Sequence, residues 1–106
     1  MNKSELQNRY DILSKILDDF YEAKEDHKYA NAKTKKLIES RLNSSISLAE
    51  RWITGNDEFY EIITGNDKRS EAERIISLEG TFTIHYFGKD MSEILEKLKK
   101  YISTLQ

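Results

Sequence analysis

The chain has 106 residues, of which 34% are charged, with a formal net charge of −2 and no cysteine. This length predicts a single domain over 1–106 that can fold without disulfides or a structural metal ion. The absence of cysteine excludes a disulfide framework, a thiolate nucleophile and cysteine-ligated metals, and the slightly acidic balance argues against a strongly basic nucleic-acid binder. We expect a cytoplasmic protein with no membrane partner, because neither a signal peptide nor an apolar run of about 20 residues is visible.

Charge is unevenly distributed over the first half of the chain. Residues 1–26 hold more acidic than basic side chains, and residues 27–53 hold the reverse. This asymmetry predicts that the two segments pack against each other as an antiparallel pair. A basic helix face that stays open to a partner is the competing interpretation.

Two long amphipathic helices are predicted in this half. Ser4 and Gln7 have capping-box spacing, so the first helix should begin near residue 5. Its apolar residues recur at steps of four and three, as one helix face requires: Leu6, Tyr10, Leu13, Leu17 and Phe20. The same steps recur from Ile38 to Trp52 and predict a second helix over roughly 30–53.

The pentapeptide Ile-Thr-Gly-Asn-Asp occurs at 53–57 and again at 63–67. Gly just beyond a helix can adopt the left-handed cap conformation, and Asn can cap the next helix. The repeat therefore predicts that one element ends and another begins, and it is too short for a solenoid. Between the two copies, Phe59 and Ile62 favour a short connector helix over a strand.

A two-residue repeat interrupts the helical pattern between 75 and 87. Apolar and polar residues alternate there, which predicts a β segment. The apolar set is Ile76, Leu78, Phe82, Ile84 and Tyr86. A three-residue loop at 79–81 would pair apolar with apolar positions in a hairpin. Residues 71–78 also fit a helical turn, so helix and strand both remain open there.

A third helix closes the chain, with Asp90 and Glu93 at capping-box spacing near its start. Its apolar stripe is Met91, Leu95, Leu98, Ile102 and Leu105. The predicted fold is therefore α+β. It comprises a long N-terminal antiparallel helical hairpin, a short connector helix, a small antiparallel β element and a C-terminal amphipathic helix. An all-α bundle is the alternative.

No residue pattern indicates catalysis, a cofactor or a metal. His27 and His85 are the only imidazoles and have no metal-ligand spacing. Asp18 and Glu22 share a helix face, but nothing predicts the enclosed pocket that would shift their pKa values for acid–base work. We expect no enzyme, although one that uses Asp18, Glu22 or His85 is the third hypothesis for function.

The long helices, together with the absence of any sequence pattern for catalysis, cofactors or metals, predict a small non-catalytic protein-binding module, such as a regulator, inhibitor or adaptor. The predicted partner-binding residues are Lys33, Lys35, Lys36, Trp52, Phe82 and Tyr86. The edge of strand 81–87 carries no Lys or Pro to block pairing, so we expect this strand to form a homodimer by pairing with a second copy, or else to be covered by the third helix. The alternative dimer contact uses helical seams formed by Leu13, Leu17, Leu98 and Ile102.

A nucleic-acid-binding regulator is the second hypothesis for function. It would use the basic face of the second helix and neutralise phosphates, so its affinity would fall steeply with salt. The cations that would carry it are Lys28, Lys33, Lys35, Lys36 and Arg41.

Trp52 and Gly55, at the end of a long helix, resemble the WXG-type secreted helical hairpins. That family places Trp, any residue and Gly in succession, whereas Thr54 holds the Gly position here. Its members are also helical hairpins without a β segment. We therefore do not assign the chain to the family, and we interpret Trp52 as a core or interface anchor.

Overall fold

The computed structural model describes residues 1–64 and 82–105. These residues form helices α1 (Lys3–Tyr29), α2 (Ala32–Thr54), α3 (Asp57–Thr64) and α4 (Phe87–Ser103). No strand occurs in this described part of the chain, so the α+β prediction is wrong and the all-helical alternative is supported. None of the helices described combines the length and apolar character needed to cross a bilayer.

Helix α1 begins two residues earlier than its predicted start. Asn2 is the cap, since its Oδ1 accepts a hydrogen bond from the Glu5 backbone N–H at 2.8 Å. The Asn2 side-chain amide also donates to Glu5 Oε1 at 3.1 Å. Asn caps helices as well as Ser does, so Asn2 and Glu5 fill the roles that the sequence pattern assigns to Ser4 and Gln7.

Helices α1 and α2 form the predicted antiparallel pair. Asn31 caps α2 by accepting from the Thr34 backbone N–H at 2.9 Å, close to the predicted start. At one end of the pair, His27 Nε2 lies 3.2 Å from Glu39 Oε1. At the other end, Arg9 contacts Trp52. The early part of α1 therefore lies beside the late part of α2, and the hairpin prediction is confirmed.

The first copy of the pentapeptide ends α2 and starts α3, as predicted. Asn56 Oδ1 accepts from the Phe59 backbone N–H at 2.9 Å and caps α3, and the connector helix is confirmed. The predicted left-handed conformation of Gly55 is wrong, because this residue has φ −75° and ψ −3°. A Cβ at this position would lie 2.6 Å from the Arg51 carbonyl oxygen, so close backbone approach is what requires glycine. Residues 65–67 of the second copy lie outside the described residues.

Within the segment predicted as strand 81–87, the described residues 82–86 form a turn that leads into α4. The backbone N–H groups of Tyr86 and Phe87 both donate to the Thr83 carbonyl, at 3.1 and 2.8 Å. These local bonds use groups that a strand would offer to a neighbour. Helix α4 begins at Phe87, before the predicted capping box at Asp90. The predicted strand before this segment, the loop at 79–81 and residues 71–78 lie outside the described residues.

Aromatic packing explains why the alternation does not produce a strand here. Phe82 and Phe87 both point inward, and their ring centroids are 5.4 Å apart. Phe87 then packs on Phe20 of α1 at 4.6 Å. In a strand, positions 82 and 87 would face opposite sides of the sheet. A turn followed by a helix buries both rings, so tertiary packing overrides the local pattern.

Helix α1 contacts both α2 and α4, and α3 contacts the same two helices. The molecule measures 49 × 28 × 17 Å along its principal axes, so it is thin in one direction. The buried apolar residues of α2 lie on one face, its inner face: Ile38, Leu42, Ile46, Ala49 and Ile53. Its opposite face is left at the surface.

Candidate partner-binding face

The predicted partner-binding residues on α2 lie at its two ends. Lys33 and Lys36 are exposed in the first turns, and Lys35 is half-buried. Trp52 is half-buried in the last turns, about 28 Å further along the helix axis at about 1.5 Å per residue. The structure therefore does not bring the lysine cluster and the indole together.

The predicted partner-binding residues Phe82 and Tyr86 differ in solvent exposure. Phe82 is only 5% exposed and belongs to the core, whereas Tyr86 is 56% exposed. The Tyr86 ring packs edge-on against His85, with centroids 4.7 Å apart. Tyr86 can meet a partner in this conformation, but Phe82 cannot.

The residues proposed for a helical dimer seam lie in the core of the monomer. All of them are buried in one chain: Leu13, Leu17, Leu98 and Ile102. They cannot also form an intermolecular seam without opening the fold. Since residues 82–87 are not a strand, neither contact predicted for a homodimer is present in the described part of the molecule.

A continuous stripe of side chains runs along the outer face of α2, opposite the core. Its members recur at steps of four and three, and we call them the outer stripe: Lys33, Leu37, Arg41, Ser44, Leu48 and Arg51. The leucines are 65% exposed at Leu37 and 40% exposed at Leu48. The stripe therefore combines exposed aliphatic side chains with cations and contains no carboxylate.

The cations of the outer stripe are weakly neutralised. Arg41 Nη1 lies 3.6 Å from Asp26 Oδ2, and both side chains are more than half exposed. Exposed pairs of this kind contribute about 0–1 kcal/mol. No carboxylate of the described residues forms an ion pair with Lys33 or Arg51. The stripe thus presents positive charge along its length.

An open pocket of about 310 Å³ continues the outer stripe at the C-terminal end of α2. It is lined by Arg9, Leu48, Arg51, Trp52 and Gly55. Leu48 and Arg51 belong to both the stripe and the pocket. The remaining wall is aromatic and cationic, and none of the described residues that line the pocket is acidic.

Arg9 holds the aromatic wall of this pocket in place. Its Nη1 donates to the Trp52 carbonyl at 3.1 Å. The last carbonyls of a helix have no donor within the helix, so this bond satisfies one of them. The guanidinium carbon also lies 5.2 Å from the Trp52 ring centroid and 5.0 Å from that of Phe59, both within cation–π range. One side chain of α1 thereby fixes the junction of α2 and α3.

Five side chains of this face are not among the binding residues predicted from the sequence: Arg9, Leu37, Ser44, Leu48 and Arg51. Leu37, Leu48 and Arg51 belong to a second series of four- and three-residue steps on α2, parallel to the core series. This spacing is visible in the sequence and could have identified them. The Arg9 contact joins residues 43 positions apart, so no local pattern encodes it.

The residues considered for catalysis and metal binding do not form a site. Asp18, Glu22 and His85 are all exposed. Within the described residues, no group of three or more His, Asp or Glu side chains could hold a metal ion.

Comparison of the chain with protein-family models, with curated proteins and with solved structures gives no match. Function is therefore inferred from the surface itself.

Proposed function

We propose that the protein is a small non-catalytic protein-binding module that contacts its partner through the outer stripe of α2. The observation that carries this proposal is the pair of exposed leucines, Leu37 and Leu48, set among cations on a helix whose other face already supplies the core. Interfaces combine apolar contacts with arginine, which is enriched there relative to the rest of the surface. A regulator, inhibitor or adaptor that acts in the cytoplasm fits this surface and a chain without cysteine.

The shape of the surface favours a macromolecule over a small ligand. The pocket beside Trp52 is open, whereas small-molecule sites enclose most of the ligand surface. Its volume of about 310 Å³ suits side chains of a partner that also covers the leucines. A protein segment meets both conditions, since it can cover a long stripe and fill a shallow pocket at its end.

The same surface weighs against nucleic acid as the partner. Lys28 lies on α1, outside the outer stripe, and its Nζ is 3.0 Å from Glu25 Oε2. Lys35 is half-buried, and the exposed leucines Leu37 and Leu48 interrupt the cations of the stripe. Phosphate binding needs cations that can release the counterions of the nucleic acid, and the leucines of the stripe have no role in it.

The test compares protein capture by the wild-type chain and by two variants. The stripe variant carries Leu37→Ser and Leu48→Ser. The matched control carries Tyr29→Ser and Tyr101→Ser, which remove side chains that are 83% and 40% exposed and lie outside the outer stripe, near the ends of α1 and α4. We expect the same protein to be captured from a cell lysate by the wild type and the control, and its recovery to fall at least tenfold with the stripe variant.

Circular dichroism of all three chains establishes that helix content is unchanged. Equal capture by the stripe variant would place the contact elsewhere and contradict the proposal. Recovery of nuclease-sensitive material with steep salt dependence would instead support nucleic-acid binding. A wild-type chain that captures no protein from any cellular fraction would refute a protein-binding function.

A further inference from the structure

We infer that the partner segment is an acidic amphipathic helix that lies along the outer stripe and places a carboxylate in the pocket between Arg9 and Arg51. This inference rests on the proposed function and names the chemistry of the partner. Charge complementarity carries it, because Lys33, Arg41 and Arg51 alternate with leucines and no carboxylate belongs to the stripe.

The spacing of the leucines suits a helical partner. Leu37 and Leu48 lie eleven positions apart, which is three turns and about 16 Å along the axis. A helix laid against α2 with apolar residues at steps of three and four meets both leucines and Ser44 between them. Its flanking positions then face the cations of the stripe, where Asp or Glu is the complementary choice.

A second copy of this chain is a poor occupant of the same face. A two-fold contact is self-complementary, so an antiparallel pairing centred on the stripe would bring Lys33 of one copy close to Arg51 of the other. Like charges placed opposite each other across an interface disfavour association. A partner with the opposite charge removes this repulsion and gains attraction from the same residues.

The pocket gives the partner a fixed anchor point. The guanidinium of Arg9 has five N–H donors, and its bond to the Trp52 carbonyl uses Nη1. Arg51 lines the same pocket and has no carboxylate partner in the described residues. Two guanidinium groups beside an indole face form a setting in which a carboxylate receives charge-assisted hydrogen bonds while the adjoining apolar chain packs on Trp52 and Leu48.

The experiment is a selection from a displayed library of random peptides of about 16 residues, which is enough for four helical turns. The bait is the full chain. We expect the enriched peptides to carry net negative charge and apolar residues at steps of three and four. Trp52 is the only tryptophan and lines the pocket, so its fluorescence should change when a selected peptide that lacks tryptophan binds.

Two variants and a control test the pose. Arg51→Glu should weaken binding of the selected peptides at least tenfold, a loss of about 1.4 kcal/mol. Leu48→Ser should weaken it by a similar factor, whereas Lys100→Glu, an exposed charge reversal on α4, should leave it unchanged. A peptide with Lys in place of its critical Asp or Glu should regain affinity for Arg51→Glu, which a merely structural effect of the substitution would not produce.

The outcomes separate this inference from the proposed function. One outcome is that the selected peptides have no acidic bias and yet fail to bind the stripe variant. That result would overturn the inference that the partner is acidic, while the proposed protein-binding function would stand. Peptides that bind equally well to Arg51→Glu and to the stripe variant would overturn both the partner and the face. Retention on vesicles that contain phosphatidylserine, lost in Arg51→Glu and without any acidic peptide selected, would overturn the inference in favour of a lipid surface.

Discussion

The inner and outer faces of α2 carry similar aliphatic side chains in opposite surroundings. On the inner face, Leu42 is 1% exposed and packs in the core, whereas Leu37 on the outer face is 65% exposed beside cations. Folding accounts for the first leucine and not for the second. Periodicity alone finds both series, but only the contacts around each side chain separate a residue that holds the fold from one that is available to a partner.

The largest expected effect comes from truncating the inner face. Leu42→Ala removes a buried side chain between α1 and α2 and leaves a cavity, so we expect the free energy of unfolding to fall by about 2–5 kcal/mol. Urea unfolding followed by circular dichroism measures this loss. Leu37→Ala is the matched control and should change stability by less than about 0.5 kcal/mol. Equal losses in the two variants would contradict the assignment of the faces.

The helices could be predicted because their patterns are local. The core series of α1 and α2 and the cap at Asn56 are contained within a few turns of sequence, and the predicted and observed bounds of α2 differ by only one or two residues. Residues 82–87 also carry a local pattern, but the packing of Phe82 on Phe87, and of Phe87 on Phe20 of α1, decides their conformation. The contact between Phe87 and Phe20 joins α4 to α1, and a two-residue periodicity does not reveal it.

The second-largest effect on stability is expected for Arg9 of α1, which contacts the C-terminal end of α2. Arg9→Ala removes a charged hydrogen bond to the Trp52 carbonyl and two cation–π contacts, so we expect a loss of about 1–3 kcal/mol in the free energy of unfolding. Trp52 emission should shift to the red as the indole gains solvent.

Lys15→Ala is the control for Arg9, since Lys15 is also a cation of α1 but forms a single exposed ion pair with Asp19. Its removal should cost less than about 1 kcal/mol and leave the emission of Trp52 unchanged. Similar losses from Arg9→Ala and Lys15→Ala, with no change in fluorescence, would show that Arg9 does not stabilise the junction of α2 and α3.

The candidate site could be predicted only in part, for a related reason. Trp52 stands out in composition as the single tryptophan, and Lys33 belongs to a visible basic cluster. The pocket beside Trp52 depends on Arg9, which reaches it across the hairpin from the beginning of α1. Assigning that contact requires the register between α1 and α2, and amphipathic patterns predict the faces of two helices without giving their relative register.

A smaller effect is expected at the boundary between α2 and α3. Asn56→Ala removes the side-chain oxygen that accepts from the Phe59 backbone N–H, so α3 loses its cap and about 1 kcal/mol of stability. Asn43→Ala, at an exposed position inside α2, makes the same chemical change without a cap and should be neutral or slightly stabilising, because Ala is the better helix former. Denaturant midpoints that fall equally in both variants would contradict the capping role of Asn56.

The smallest effect on stability is expected where the effect on binding is largest. Leu37→Ser and Leu48→Ser remove side chains that are 65% and 40% exposed, so little buried area is lost and the combined change in unfolding free energy should stay within about 1 kcal/mol. Ser also has a lower helix propensity than Leu, which contributes part of that loss. Thermal unfolding of the double variant, compared with that of Leu42→Ala, measures this change in unfolding free energy.

A destabilisation as large as that of Leu42→Ala would mean that Leu37 and Leu48 help to hold the fold, and their exposure would then no longer argue for a partner. A stable double variant that has lost its partner would instead separate the two faces of α2 by experiment, one needed for folding and the other for binding.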